Sequence, residues 1–216
     1  MAILGSEAAQ KTRALCELAP IVPVIVVHHV AHAEPLARAL VAGGLPVLEV
    51  TLRTPAALDA IAAMTAVPGA HVGAGTVLTQ TDAEAARTAG ATFAVSPGAT
   101  DTLLDACEAM ELPMLPGAAT ASEAMRLFER GYDMLKFFPA EASGGAPALK
   151  ALAAPLPKIS FCPTGGVSPG NAESYLGLPN VVCAGGSWVA PANLMTDGKW
   201  DEITDLAQAA ARLPRG

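Results

Sequence analysis

Residues 45–65, Leu45-Pro46-Val47-Leu48-Glu49-Val50-Thr51-Leu52-Arg53-Thr54-Pro55 followed by AALDAIAAMT, hold a short apolar run and then a longer amphipathic one. The run at 45–52 has the length of a buried strand. The stretch 55–65 has helical spacing, with Thr54-Pro55 as a start signal and proline at the first helical position. That is one βα unit, and the chain repeats it. Further strand-like runs lie at 21–27, 71–77, 93–97, 113–117, 134–139, 158–164 and 181–187. Helix-like stretches separate or follow them at 33–42, 80–89, 101–110, 121–130, 145–153, 169–177 and 201–212, and another opens the chain at 5–18. Alternating βα units require a parallel sheet. Eight of them, with no linker between halves, predict an α/β fold in which residues 1–216 form one (β/α)8 TIM barrel with an N-terminal helix. A doubly wound open sheet is the alternative. Solenoid repeats are excluded because the units share no consensus. Pro23, Pro46 and Pro113 remove ladder donors and are read as strand starts.

Composition narrows the partners. A net charge of −7 and a pI near 5.0 argue against a nucleic-acid footprint, and 4% aromatic residues leave little for base stacking. A small anionic substrate would be repelled by the overall field, so local arginine, backbone N–H groups or helix N-termini must hold it. No apolar run reaches bilayer length, and the N-terminal residues lack a secretory core, so a cytoplasmic protein without membrane contact is expected. Cys16, Cys107, Cys162 and Cys183 are widely spaced with no C-x-x-C pair, which reads as reduced thiols and not as a zinc site.

In a barrel, chemistry gathers where strands end. Of the five lysines, Lys136 alone lies within an apolar strand (MLKFFP); Lys158 starts a strand, and Lys11, Lys150 and Lys199 have polar or helical surroundings. Desolvation disfavours an ammonium ion, which suits a nucleophilic amine; snorkelling to water is the competing reading. Of twenty acids, only Glu49 sits inside an apolar strand, and period two places it on one side with Thr51 and Arg53. The pattern fits a general acid/base beside a carboxylate clamp, and equally a buried ion pair of Glu49 with Arg53 or Lys136. Glu141, just past strand six, is a weaker acid candidate.

Gly73-Ala74-Gly75-Thr76 lacks the third glycine of a dinucleotide loop. Its glycines would let a ligand approach the backbone, with the Thr76 hydroxyl at hand. Ser96-Pro97-Gly98 reads as a rigid turn or a substrate wall. Gly165-Gly166 and Gly185-Gly186-Ser187 follow the last two strands, where barrels often bind phosphate. His28, His29 and His32 form H-H-x-x-H, whose spacing would pair His28 with His32, but no acid completes a metal set. Asn171 and Trp188 carry no signal by themselves.

These blocks, VPVIVV, AxALVAGG, VLEVTLRT, VGAGTVL, FAVSPG, LPG, KFFPAE, FCPTGGVSP and GGSW, run in order from about residue 20 to 200 and together resemble the 2-keto-3-deoxy-6-phosphogluconate (KDPG) aldolases. Pro46 and the His28-His29 pair depart from that pattern without touching it. The resemblance implies a homotrimeric TIM barrel and class I aldolase chemistry that needs no metal or cofactor. It implies Lys136 as the Schiff-base lysine and Glu49 as the proton shuttle. Arg53 and Thr76 would hold the pyruvyl carboxylate, Pro97 and Phe138 would line the site, and Thr164 would face the C4 hydroxyl. Gly165, Gly166, Gly186 and Ser187 would hold the phosphate of a phosphorylated keto-sugar acid. Three alternatives remain: an aldolase for the galactonate epimer or for 4-hydroxy-2-oxoglutarate, a decarboxylase side activity, and a non-catalytic phosphosugar-binding barrel.

Overall fold

The computed structural model describes residues 2–216. Helix α1 (Gly5–Cys16) leads into strand β1 (Ile21–Ile25). There follow α2 (Ala33–Ala42), β2 (Val47–Thr51), α3 (Ala57–Thr65), β3 (His71–Gly75), α4 (Gln80–Thr88), β4 (Ala94–Val95) and α5 (Asp101–Ala109). Next come β5 (Met114–Leu115), β6 (Gly117–Ala118), α6 (Ala121–Glu129), β7 (Met134–Phe137), α7 (Gly145–Ala153) and β8 (Ser160–Pro163). The last elements are α8 (Ala172–Leu176), β9 (Ala184–Gly186), α9 (Ala192–Thr196) and α10 (Trp200–Ala211).

Among the described residues every pair of neighbouring strands is parallel. Six strands form one sheet in the order β5-β4-β3-β2-β1-β9, and three form another in the order β6-β7-β8. The sheets meet twice. Only Pro116 separates β5 from β6, and its carbonyl accepts the Lys136 N–H at 2.9 Å. On the far side, single parallel bridges join Phe161 to Val181 and Thr164 to Gly185.

Strand periodicity divides the core in two. Ile21, Ile25, Leu48, Val50, Ala94, Met114, Leu135 and Phe161 pack outward against the helices. Val22, Val47, Val95, Leu115, Met134 and Cys162 point to the other face, joining Phe93, Cys183 and Cys16 in a separate apolar cluster. That inner cluster draws on strands of both sheets. Both faces are buried, which is why these strands read as apolar runs and not as alternating ones.

Helix α1 covers the N-terminal ends of the strands. Arg13 donates to Ser160 Oγ at 3.1 Å and to the Asp133 carbonyl at 3.2 Å, at the entrances to β8 and β7. Gly5 permits close approach: a Cβ there would stand 2.4 Å from the Arg130 carbonyl. Cys16, at the end of the helix, joins the inner cluster.

Several local expectations change. Pro23 is not a strand start but the middle of buried β1. Pairing with β9 runs through Ile21, Val22 and Pro23, and pairing with β2 begins at Val24, so the proline sits where the strand changes partner. Pro46 and Pro113 do precede strands. Pro55 is not a first helical residue: α3 is capped at Ala56, and the Thr54 hydroxyl donates to the Val27 carbonyl instead of capping. The one-turn helix α9 and a 3₁₀ turn at Val30–His32 were not legible as elements. Cys16, Cys162 and Cys183 converge despite their spacing, and all four thiols are free and buried. No helix among the described residues is long and apolar enough to cross a membrane.

Candidate active site

Lys136 and Glu49 lie one residue pair above the inner apolar cluster, towards the C-terminal ends of β7 and β2. Period two decides this: Met134 and Val47 point into the cluster, so Lys136 and Glu49 point the same way, one layer higher. The lysine Nζ donates to Glu49 Oε1 at 3.0 Å, and both side chains are only 4% exposed. The Lys136 ammonium also stands 5.4 Å from the centroid of the Phe138 ring, within cation–π range. A buried charge without a partner is strongly destabilising, so each of these two residues requires the other. Lys136 therefore does not snorkel; it is enclosed. Lys158, by contrast, is exposed ahead of β8.

Two glycines make room for the pair. A Cβ at Gly75 would lie 2.4 Å from Glu49 Oε1, so the end of β3 is bare where the carboxylate crosses it. The space beside that glycine, expected to receive a ligand, is occupied by Glu49. Gly117 pairs with Lys136 in register, and a Cβ there would come 2.2 Å from the Pro97 backbone. Half-buried Pro97 is thus pressed against the strand beside Lys136.

Arg53 and Thr76 form a second couple at the rim. Arg53 is exposed and its Nε donates to Thr76 Oγ1 at 3.1 Å. Thr76 has φ of 58°, the left-handed region, which costs a β-branched residue about 1–3 kcal/mol. Strain of that kind persists where surrounding contacts over-determine it. Among the described residues no hydrogen bond or ion pair links this couple to Lys136 and Glu49. The connection runs through Gly75, which precedes Thr76 and packs on the Glu49 carboxylate. Of the two ion pairs open to Glu49, the structure forms the one with Lys136. Thr51 does share the buried side, donating to the Ile25 carbonyl at 2.9 Å.

The strand ends of β8 and β9 complete the rim. Thr164 is buried at 6% exposure and bridges Gly185, where a Cβ would lie 2.3 Å from the threonine hydroxyl. Gly165 and Gly166 both adopt positive φ, 98° and 82°. A Cβ on Gly165 would press the Phe138 ring at 3.2 Å, and one on Gly166 would strike Glu141 Cγ at 2.5 Å. Gly186 is bare because the Trp188 ring lies across it, 2.0 Å from where a Cβ would be, and Ser187 is exposed just beyond. Among the described residues, no acceptor is bonded by the backbone N–H of Gly165, Gly166 or Ser187. Unpartnered N–H groups on glycine-rich turns are what an anion requires.

Glu141 is not a free acid at this rim. Its carboxylate accepts the Tyr175 hydroxyl, and burial together with that carboxylate pushes the tyrosine pKa up. The histidines also pair differently from the H-H-x-x-H expectation: His29 meets His32 at 5.4 Å between ring centroids, and His32 meets Trp200 at 5.9 Å. No three His, Cys, Asp or Glu side chains among the described residues are arranged to hold a metal ion.

Residues 12–206 match the family model described as KDPG and KHG aldolase. The chain belongs to that family. It is 56% identical over 192 residues to the 2-dehydro-3-deoxy-phosphogluconate aldolase of Pseudoalteromonas atlantica, covering 88% of this chain and 89% of the relative. The crystal structure of the KDPG aldolase of Zymomonas mobilis ZM4 with 3-phosphoglycerate superposes with a TM-score of 0.91 at 48% identity, over 96% of this chain and 98% of that one. The KDPG aldolase of Legionella pneumophila, with pyruvate captured as a covalent carbinolamine intermediate, gives 0.89 at 46% identity, over 92% and 97%. In the sequence, Lys136 and Glu49 were legible as candidates and as one of two ion pairs open to Glu49, and Gly75 as a bare backbone position with a different occupant; Gly117 and the role of Asn171 were not. Gly117 could have been found only by knowing which side chains its strand faces.

Proposed function

We propose that the protein is a class I aldolase that cleaves 2-keto-3-deoxy-6-phosphogluconate to pyruvate and D-glyceraldehyde 3-phosphate. The observation that carries this reading is the buried contact of 3.0 Å between Lys136 Nζ and Glu49 Oε1. Passage of the shared proton to Glu49 leaves a neutral amine, which attacks the C2 ketone. Glu49 then relays protons as the carbinolamine loses water to give an iminium. Glu49 takes the C4 hydroxyl proton, the C3–C4 bonding pair flows into the iminium, and glyceraldehyde 3-phosphate departs from the resulting enamine. Protonation at C3 and hydrolysis release pyruvate and restore Lys136. The iminium is the electron sink, so the scheme needs no metal or cofactor. The carbinolamine in the Legionella pneumophila relative supports the same covalent step here.

Arg53 and Thr76 are assigned to the pyruvyl carboxylate, because a guanidinium at the rim offers paired donors and Thr76 fixes its direction. Pro97 and Phe138 flank Lys136 and line the site. Thr164 is assigned to the C4 hydroxyl. Gly165, Gly166, Gly186 and Ser187 are assigned to the phosphate, with the free N–H groups of Gly165, Gly166 and Ser187 as the supporting feature. A second reading, 4-hydroxy-2-oxoglutarate cleavage, is favoured by the family description, which covers both substrates. It uses the same lysine and leaves the phosphate loops idle. Residues 1–216 are proposed to form one (β/α)8 barrel, supported by the two bridges between the sheets and an inner cluster drawn from both. The enzyme is further proposed to be a cytoplasmic homotrimer.

Borohydride reduction in the presence of pyruvate tests the chemistry. Peptide mapping by mass spectrometry should find the adduct on Lys136, with labelling that survives EDTA. An unlabelled Lys136 would sink the mechanism.

A further inference from the structure

Asn171 occupies the cap position of α8, with φ of −129°, yet makes no side-chain cap bond to its own helix. An asparagine there ordinarily accepts an N–H from the first turn. This one turns back. Its Nδ2 donates to the Gly166 carbonyl at 3.0 Å, while Oδ1 accepts the Ser168 N–H at 2.7 Å and the Ser168 hydroxyl at 3.3 Å. All of its side-chain bonding capacity seen in the structure goes to residues 166–168.

We propose that Asn171 is a positioning residue that holds the Gly165-Gly166 loop in the shape that receives the substrate phosphate. The proposal rests on the phosphate reading of that loop. Two consecutive glycines at positive φ have many alternative conformations, so an untethered loop would lose its shape to entropy. The near side is already tied down: Ala140 and Glu141 donate backbone N–H groups to the carbonyls of Thr164 and Gly165 at 2.8 and 3.0 Å. Its floor is the Glu141 side chain, which fills the space a Cβ on Gly166 would need and is itself held by Tyr175. The Gly166 carbonyl is the remaining free end, and Asn171 fixes it. Because the peptide is planar and trans, aiming that oxygen at Asn171 aims the Val167 N–H to the opposite side. One side chain thereby sets the direction of a donor it never touches.

The test compares Asn171→Ala and Asn171→Asp with wild type and with Ser187→Ala. Three readouts are taken on each full-length protein: cleavage of 2-keto-3-deoxy-6-phosphogluconate, cleavage of the phosphate-free 4-hydroxy-2-oxoglutarate, and deuterium exchange into the pyruvate methyl group. Asn171→Ala should raise KM for the phosphorylated substrate about tenfold with kcat within threefold, since only positioning is lost. Pyruvate exchange and the KM for the phosphate-free substrate should stay within twofold. Asn171→Asp keeps the acceptor for Ser168 but loses the donor to Gly166 and adds a negative charge, so its KM should rise further. If Ser187→Ala selectively weakens the phosphorylated substrate while both Asn171 variants match wild type, the positioning role is overturned and the phosphate reading stands. If Ser187→Ala and the Asn171 variants affect both substrates equally, the phosphate reading itself fails and takes the proposal with it. Loss of pyruvate exchange in both Asn171 variants, or a drop in melting temperature that accounts for the activity loss, would overturn the proposal in favour of a structural role.

Discussion

Strand β2 carries Val47 and Glu49 two residues apart on one face, and the two positions have opposite characters. Val47 joins an apolar floor with Met134, Leu115 and Cys162, sealed beneath by α1. Glu49 meets Lys136 one layer above. Strand β7 repeats the arrangement with Met134 and Lys136, and β8 does so with Cys162 and Thr164. The same alternation that builds a core therefore delivers chemistry, and the change from one to the other takes a single step along each strand. What differs is the neighbourhood. The lower layer is closed by a helix and filled by side chains; the upper layer opens onto loops where Thr76, Gly165 and Gly166 hold left-handed backbone. A rigid, apolar layer directly beneath the pair limits where its side chains can go, which is how a reactive lysine is kept against its partner.

That contrast can be broken or sharpened by substitution. The largest effect is expected for Glu49→Gln, which keeps the shape and removes the proton acceptor. Turnover of 2-keto-3-deoxy-6-phosphogluconate, followed by pyruvate release, should fall about a thousandfold. A loss under tenfold would return Glu49 to a structural role. Gly75→Ala should come next. Its strand backbone suits alanine, but the new Cβ displaces the carboxylate, and kcat should fall about a hundredfold while the melting curve moves less than that loss implies. Val47→Ala, on the lower layer, should do the reverse. It should cost about 2 kcal/mol of stability in denaturant unfolding and leave kcat within about threefold. If Val47→Ala instead lowered kcat as Gly75→Ala does, the two layers would not be functionally distinct.

Elements and their order were largely readable from the chain because they depend on local periodicity. The helix expected over 33–42 and the one over 145–153 occur at those bounds, and every strand-like run holds a strand. Proline misled where a local rule met a tertiary circumstance. Pro23 is tolerated mid-strand because β1 changes partner there, and Pro55 missed the helix start because Thr54 bonds across to Val27. Side-chain destinations were less readable still. The sequence marked Asn171 as silent and Glu141 as a weaker acid candidate, since nothing in their neighbours tells that one grips Gly166 and the other lies under it.

By itself, the sequence determined the parallel α/β class, the strand carrying each polar residue, and the family through motifs spread along most of the chain. Those follow from hydrophobic period and residue type, which are properties of a segment and its near neighbours. Only the tertiary structure decided that Lys136 pairs with Glu49 across 87 positions, that Gly75 is bare for a carboxylate, and that three distant thiols share one floor. Each of these depends on strand register and on how the sheets curl. A shift of one residue would turn every such side chain to the other face.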